Sequence, residues 1–281
     1  FRRVLFRSPD IQGCAGFLQL CAGQPSGIEA AIHAMRKVYE QDETEAVLLV
    51  DASNAFNSLN RKAALHNIAI LCPALSRILD NTYGTDAQLY VDSGVLLSRE
   101  GTTQGDPLAM SMYAIATVPL ICKLEDEASS ATQVWFADDA SSGGKLQGVK
   151  AWWDSLNTNG PAYGYYPNAS KTWLLTKASS AEKAKELFSQ TGVNITTQGR
   201  RLLGAALGER SFVRQFVEES VASLVRQVDT LAEIARSQPQ AAHTAFTHGF
   251  IGKWVFLTKT IGEATSAMLP LEEAISQHFL P

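Results

Sequence analysis

The chain has 281 residues, 46% of them apolar, which suffices for one large domain or two modest ones around a filled core. A formal charge of -4 leaves no global basic footprint, so binding to nucleic acid has to be argued from local residues rather than from net charge. Cys14, Cys21, Cys72 and Cys122 form no Cys-x-x-Cys pair and stand at no zinc-finger spacing from histidine, which argues against a disulfide framework or a zinc site and for a reducing, intracellular setting, cytoplasm and nucleus both being open.

The first eight residues, FRRVLFRS, have neither the apolar centre nor the cleavage site of a signal peptide. The DNA string TTCAGACGTGTGCTCTTCCGATCT, which resembles a common sequencing adaptor, translates in frame to this octapeptide. Residues 1–8 are therefore set apart from the fold as an artefact, and the chain is read as the truncated remainder of a longer one. Ser26-Gly27-Ile28-Glu29 has the form of a capping box, and Ile28, Ala31, Ile32, Met35 and Val38 follow at helical spacing, so a helix is expected over 26–41. Ala46 to Val50 is an unbroken apolar run of the buried-strand type, and it delivers Asp51 at its end.

Helices are expected over 60–71 and 73–82, the second opened by Pro73. Leu89 to Val91 and Val95 to Leu97 flank Asp92-Ser93-Gly94 as a hairpin. After a Gly/Thr/Gln/Asp-rich loop at 101–106, Pro107 can start a long helix reaching Glu127. The uncharged run from Leu108 to Cys122 is shorter than the roughly 20 apolar residues of a membrane span, so none is expected. Thr132 to Phe136 and Ala140 to Ser142 predict a second hairpin with Asp138 and Asp139 near its tip. A helix over 146–157, a strand near 172–176, a helix over 180–190 and short strands near 193–206 complete a mixed α+β region. Beyond Ser211, Phe216, Val217, Val221, Leu224, Val225, Val228 and Leu231 keep a helical period.

In VWFADDAS, Val134 to Ser141, an apolar run leads straight into two adjacent carboxylates, which are costly to bury and repel each other. An exposed turn or an opposing cation would offset that cost. Asp51 and the pair Asp138-Asp139 can converge only if their strands lie side by side, and that arrangement makes a cup of hard oxygen ligands suited to Mg²⁺. Between them in sequence, Gly101-Thr102-Thr103-Gln104-Gly105-Asp106-Pro107-Leu108 is a loop running into a helix, with two glycines that permit close approach of a ligand. Taken singly, Asp51 reads as a cap, the aspartate pair as an exposed turn, and the Gln-Gly-Asp-Pro loop as a proline-started helix. Their joint occurrence favours the metal cup. Trp152 and Trp153 read as core, and His243, His248 and the arginines Arg200, Arg201, Arg210, Arg214 and Arg226 as surface residues.

These blocks resemble the reverse transcriptases. DASNAF at Asp51 to Phe56 is similar to that family's first palm motif, QGDPL at Gln104 to Leu108 to its second, and FADD at Phe136 to Asp139 to its third. NASKT at Asn168 to Thr172 is similar to the lysine-bearing fourth motif, and RLLGAAL at Arg201 to Leu207 to the primer grip with its Leu203-Gly204. The style is closest to non-LTR, LINE-like retroelements, and the likeness covers roughly 17–208.

The resemblance implies a right-hand palm, an antiparallel sheet with packed helices, over 46–208. Partial fingers would occupy 9–45 and a helical, thumb-like or connector region 209–281. It implies RNA-templated DNA synthesis with two Mg²⁺ ions, Mn²⁺ being an alternative, and an RNA template, a DNA primer and deoxynucleoside triphosphates as partners. Asp51, Asp138 and, less directly, Asp139 would hold the metals, with the carbonyl of Ala52 completing the shell. Gln104 and Gly105 would pack against the nascent base pair, Phe56 would lie under the deoxyribose, and Lys171 would protonate or stabilise the leaving pyrophosphate. The family's basic fingers residues should precede the first motif by more chain than residues 9–45 supply, so weak primer-template binding by this chain alone is expected. Two rivals remain: an RNA-directed RNA polymerase, which usually has an acid where Phe56 stands, and a non-catalytic relic that binds nucleic acid or a partner.

Overall fold

The structure is a computed structural model that describes residues 9–92, 94–103 and 105–280. The octapeptide Phe1 to Ser8, the hairpin residue Ser93, and Gln104 with its expected base-pair contact lie outside the described residues.

Five apolar residues without a polar break make β1, Ala46–Val50, and all five are buried. A strand buried on both faces belongs in the middle of a sheet. It is the centre of a five-stranded sheet of order β4-β5-β1-β6-β7, with β4 Ala131–Phe136, β5 Asp139–Gly144, β6 Trp173–Thr176 and β7 Asn194–Thr196. Ahead of it in the chain lie α1, Pro9–Ala15, and α2, Gly27–Glu40. β5 is built from small residues because α2 packs on it: a Cβ at Gly143 would come within 2.7 Å of Val38 and 3.2 Å of Met35. Ala46, Leu48 and Val50 join the main core with Trp135, Trp152 and Leu120.

That core also takes one face each of α4, Arg61–Leu71, and α5, Pro73–Tyr83, which follow the short turn α3, Ala55–Ser58. The long α6, Ala109–Glu127, and α7, Leu146–Asn159, complete it. Trp152 and Trp153 are buried, as expected of core. The indole N–H groups of Trp135 and Trp152 both donate to Gln133 Oε1 at 3.0 Å, which satisfies them without solvent. β2, Ala87–Val91, and β3, Gly94–Ser98, form the separate expected hairpin, and α8, Ala181–Leu187, precedes β7.

Three expectations are corrected. The sheet is mixed rather than antiparallel, because β7 returns through α8 and pairs parallel to β6. Ser26 adopts left-handed geometry (φ 55°) and its side chain caps nothing, so the capping box does not form. The helix expected from Pro107 starts at Ala109, since Asp106 Oδ1 accepts the Leu108 N–H at 2.8 Å and holds Pro107 and Leu108 in a turn. The chain divides into two compact units between Thr197 and Gln198.

The second unit consists of the hairpin β8, Gly199–Leu202, and β9, Ala205–Gly208, followed by helices. These include α9, Arg210–Ala235, α10, Pro239–Ala245, α11, Ile251–Thr260, and α12, Leu269–Ala274. α9 buries Val217, Val221, Leu224 and Val228, the i, i+4, i+7, i+11 stripe of an amphipathic helix. Arg200, Arg201, Arg210, Arg214 and Arg226 are exposed, as are His243 and His248. Among the described residues no helix is long and apolar enough to cross a membrane, and all four cysteines are thiols.

Candidate active site

Register brings the aspartates together. Val50 pairs with Ala140, so Asp51 leaves β1 beside Asp139, the first residue of β5. Asp138 sits in the two-residue turn that joins Phe136 to Asp139. Burial, followed by the charge of Asp51, raises the Asp138 carboxyl above the usual range. Crowding by protein atoms, then repulsion from Asp138 and Asp51, pushes Asp139 up to about 6 although its residue still reaches solvent. Among the described residues none of the three is in an ion pair.

Asp51, Asp138 and Asp139 thus place three mutually repelling carboxylates at adjoining strand ends, with no protein cation opposite them among the described residues. Among the described residues no group of three or more acidic, histidine or cysteine side chains is arranged to hold a metal ion by itself. A cation held here would therefore complete its shell from water, backbone and phosphate oxygens, which is how Mg²⁺ binds.

The fourth block lies along the first. Asn168 N–H donates to Asp51 O at 2.8 Å and Ser53 N–H to Tyr166 O at 2.8 Å, with Ala52 bridged to Pro167. Lys171 follows one turn later and is exposed. The second block is tied to Phe56: Thr102 N–H donates to Phe56 O at 2.8 Å and Gly101 N–H to Leu59 O at 2.9 Å. Gly101, at φ 74°, is required there, because a Cβ would lie 2.4 Å from Asn57 O. Gly105, exposed, has φ 92° and open space where a Cβ would be.

The half-buried ring of Phe56 stacks on Tyr113 of α6 at 4.5 Å. Tyr113 is buried, its hydroxyl has no hydrogen-bond partner among the described residues, and burial followed by the Asp138 charge raises it well above the ordinary tyrosine value. Leu203 and Gly204 form the β8–β9 turn of the second unit with φ 49° and 90°, the pair of positive angles that a tight hairpin requires.

Sequence reasoning missed the residues that hold these loops. Arg61, 4% exposed, donates to Gly101 O, Ser98 O and Glu100 O at 2.7–3.1 Å and lies over the Tyr83 ring at 5.4 Å. Tyr83 Oη donates to Asp106 and accepts the Thr103 N–H at 3.2 Å. Tyr165 Oη donates to Asp138 O at 2.8 Å, and Gln19 holds Ala137. A lone glutamine between Leu18 and Leu20 was a visible signal; the others had none.

No family model and no curated protein matches the chain. Its fold resembles that of a telomerase. The structure of telomerase from Candida albicans in complex with a TWJ fragment of telomeric RNA matches with a TM-score of 0.52 and 13% identity, over 98% of this chain and 49% of that one. The chain thus spans about half the length of that telomerase chain, and at this identity the likeness is one of fold.

Proposed function

We propose that the chain carries the catalytic palm of an RNA-templated DNA polymerase, as part of a retroelement of the LINE-like style. The observation that carries this reading is the meeting of Asp51, Asp138 and Asp139 at adjoining strand ends without a protein cation. It is supported by the fold likeness to a telomerase, itself a reverse-transcriptase-related polymerase, solved with telomeric RNA.

On this reading the primer 3′-oxygen bonds to the α-phosphorus while the bond to the bridging oxygen breaks and pyrophosphate leaves. Asp51 and Asp138 would hold two Mg²⁺ ions, with Asp139 flanking and Ala52 O available to the shell. When bound, such ions supply acidification of the 3′-hydroxyl and neutralisation of the triphosphate. Phe56, backed by Tyr113, supports the sugar and denies space to a 2′-hydroxyl. Gly105 lets the nascent base pair approach the backbone. Lys171 gives a proton to the pyrophosphate oxygen, and the Leu203-Gly204 turn is the counterpart of the primer grip.

The test is primer extension on an RNA template with deoxynucleotides and Mg²⁺, with Asp138→Asn as control. Weak extension that requires Asp138 and an RNA template is expected of this chain alone, and stronger extension once the upstream fingers sequence is restored. Equal extension by Asp138→Asn, or a preference for ribonucleotides, would overturn the reading.

A further inference from the structure

The turn that carries Asp138 is in a conformation its own sequence disfavours. Ala137 has φ 55° at the first position of a two-residue hairpin turn, where glycine is the ordinary occupant because a Cβ costs roughly 1–2 kcal/mol there. Something outside the hairpin must hold it.

Gln19 does so from 118 residues away in the chain. Its Oε1 accepts the Ala137 N–H at 2.9 Å while its Nε2 donates to Ala137 O at 3.1 Å, so one side chain grips both polar groups of one residue. The same Nε2 lies 3.3 Å from Thr117 Oγ1 of α6. Gln19 is wholly buried and fixed on either side: Trp135 N–H donates to Leu18 O and Leu20 N–H to Trp135 O, each at 2.8 Å. On the far side of the turn Tyr165 Oη donates to Asp138 O at 2.8 Å.

We infer that Gln19, assisted by Tyr165, is a positioning residue that locks the Ala137-Asp138 turn in its left-handed form and thereby keeps Asp138 and Asp139 beside Asp51 ready for a divalent cation. The inference rests on the metal reading of the aspartates proposed above. A glycine at 137 would enter the same conformation without strain but would leave it as easily. Alanine with a buried clamp gives a turn with one conformation, so the carboxylates need no reordering when a cation arrives.

The experiment compares the full chain with Gln19→Met, which keeps length and removes both hydrogen bonds to Ala137 along with the one to Thr117, and with Gln19→Met/Ala137→Gly. Two quantities are read: Mn²⁺ affinity by electron paramagnetic resonance, and amide hydrogen exchange by residue. Gln19→Met is expected to weaken Mn²⁺ binding by about 10–100-fold, the usual loss when a group that orients a ligand is removed. Exchange should accelerate at Ala137, Asp138 and Asp139 while the amides of α2 and β1 stay at their wild-type rates. Adding Ala137→Gly should recover part of the affinity, which relief of backbone strain explains and a general packing defect does not. Unchanged affinity, or faster exchange across the whole first unit, would make Gln19 an ordinary core residue. A wild-type chain that binds no Mn²⁺ would instead sink the metal reading, and the clamp would then stand or fall on whether exchange rises only at the turn.

Discussion

The two ends of β1 carry acids in opposite circumstances. Glu45, just before the strand, accepts Lys183 Nζ at 2.8 Å on one oxygen and the Leu146 N–H at the start of α7 at 2.8 Å on the other. The Lys183 hydrogen bond, then that backbone donor, hold its carboxyl below the usual range. Asp51, just after the strand, meets Asp138 and Asp139, and among the described residues no ion pair relieves them. A sheet can settle an acid at its end when stability is the only requirement. Leaving three acids unsettled at the other end costs stability, and a bound cation would recover it.

The largest expected effect comes from breaking the unsettled end. Asp138→Asn should reduce deoxynucleotide incorporation by about 10²–10³-fold or more, the scale seen when one preorganised charge-stabilising group is lost. Its melting temperature without metal should stay level or rise, because one repelling charge is gone. A marked fall would identify Asp138 as a structural acid like Glu45.

The next effect sharpens what the unsettled end selects. Phe56→Val shortens the ring that Tyr113 supports and should shift the ratio of ribonucleotide to deoxynucleotide incorporation by about 10–200-fold. An unchanged ratio with activity retained would place Phe56 in the core alone.

At the settled end, Glu45→Gln should cost about 1 kcal/mol at neutral pH in a denaturant titration, a typical value for a half-exposed pair that also receives a helix N-terminal N–H. The sign follows from the depressed carboxyl: its stabilisation is present above the unfolded value near 4.5 and is lost as pH falls through the folded one. Wild type and variant should therefore converge in acid.

The smallest effect runs the other way. Asp139 is raised from 3.8 to about 6, so the folded state holds its proton more tightly than the unfolded one, and the resulting stabilisation is lost as pH rises through that window. The metal-free melting temperature should carry a small decline between these pH values, screened by solvent, and Asp139→Asn should flatten it. Millimolar Mn²⁺ should reverse the decline in the wild type.

Much of this was legible in the residues. The apolar run Ala46–Val50 read as a buried strand, and Thr132 to Phe136 with Ala140 to Ser142 read as the two arms of a hairpin, because short-range patterning suggests both. Joint occurrence with the Gln-Gly-Asp-Pro loop, and the resemblance to reverse transcriptases, marked Asp51, Asp138 and Asp139 as a set. What sequence could not supply is which distant group finishes each local feature. Ser26 carried every sign of a cap and caps nothing, and β7 joined the sheet in parallel. Arg61 reaches the loop at 98–101, Tyr165 reaches Asp138, and Gln19 grips Ala137, all across long stretches of chain. Periodicity reports which face of an element is buried. The partner that a buried polar atom meets is settled only when elements pack, since an unpaired donor or acceptor must find whatever group tertiary contact brings within about 3 Å.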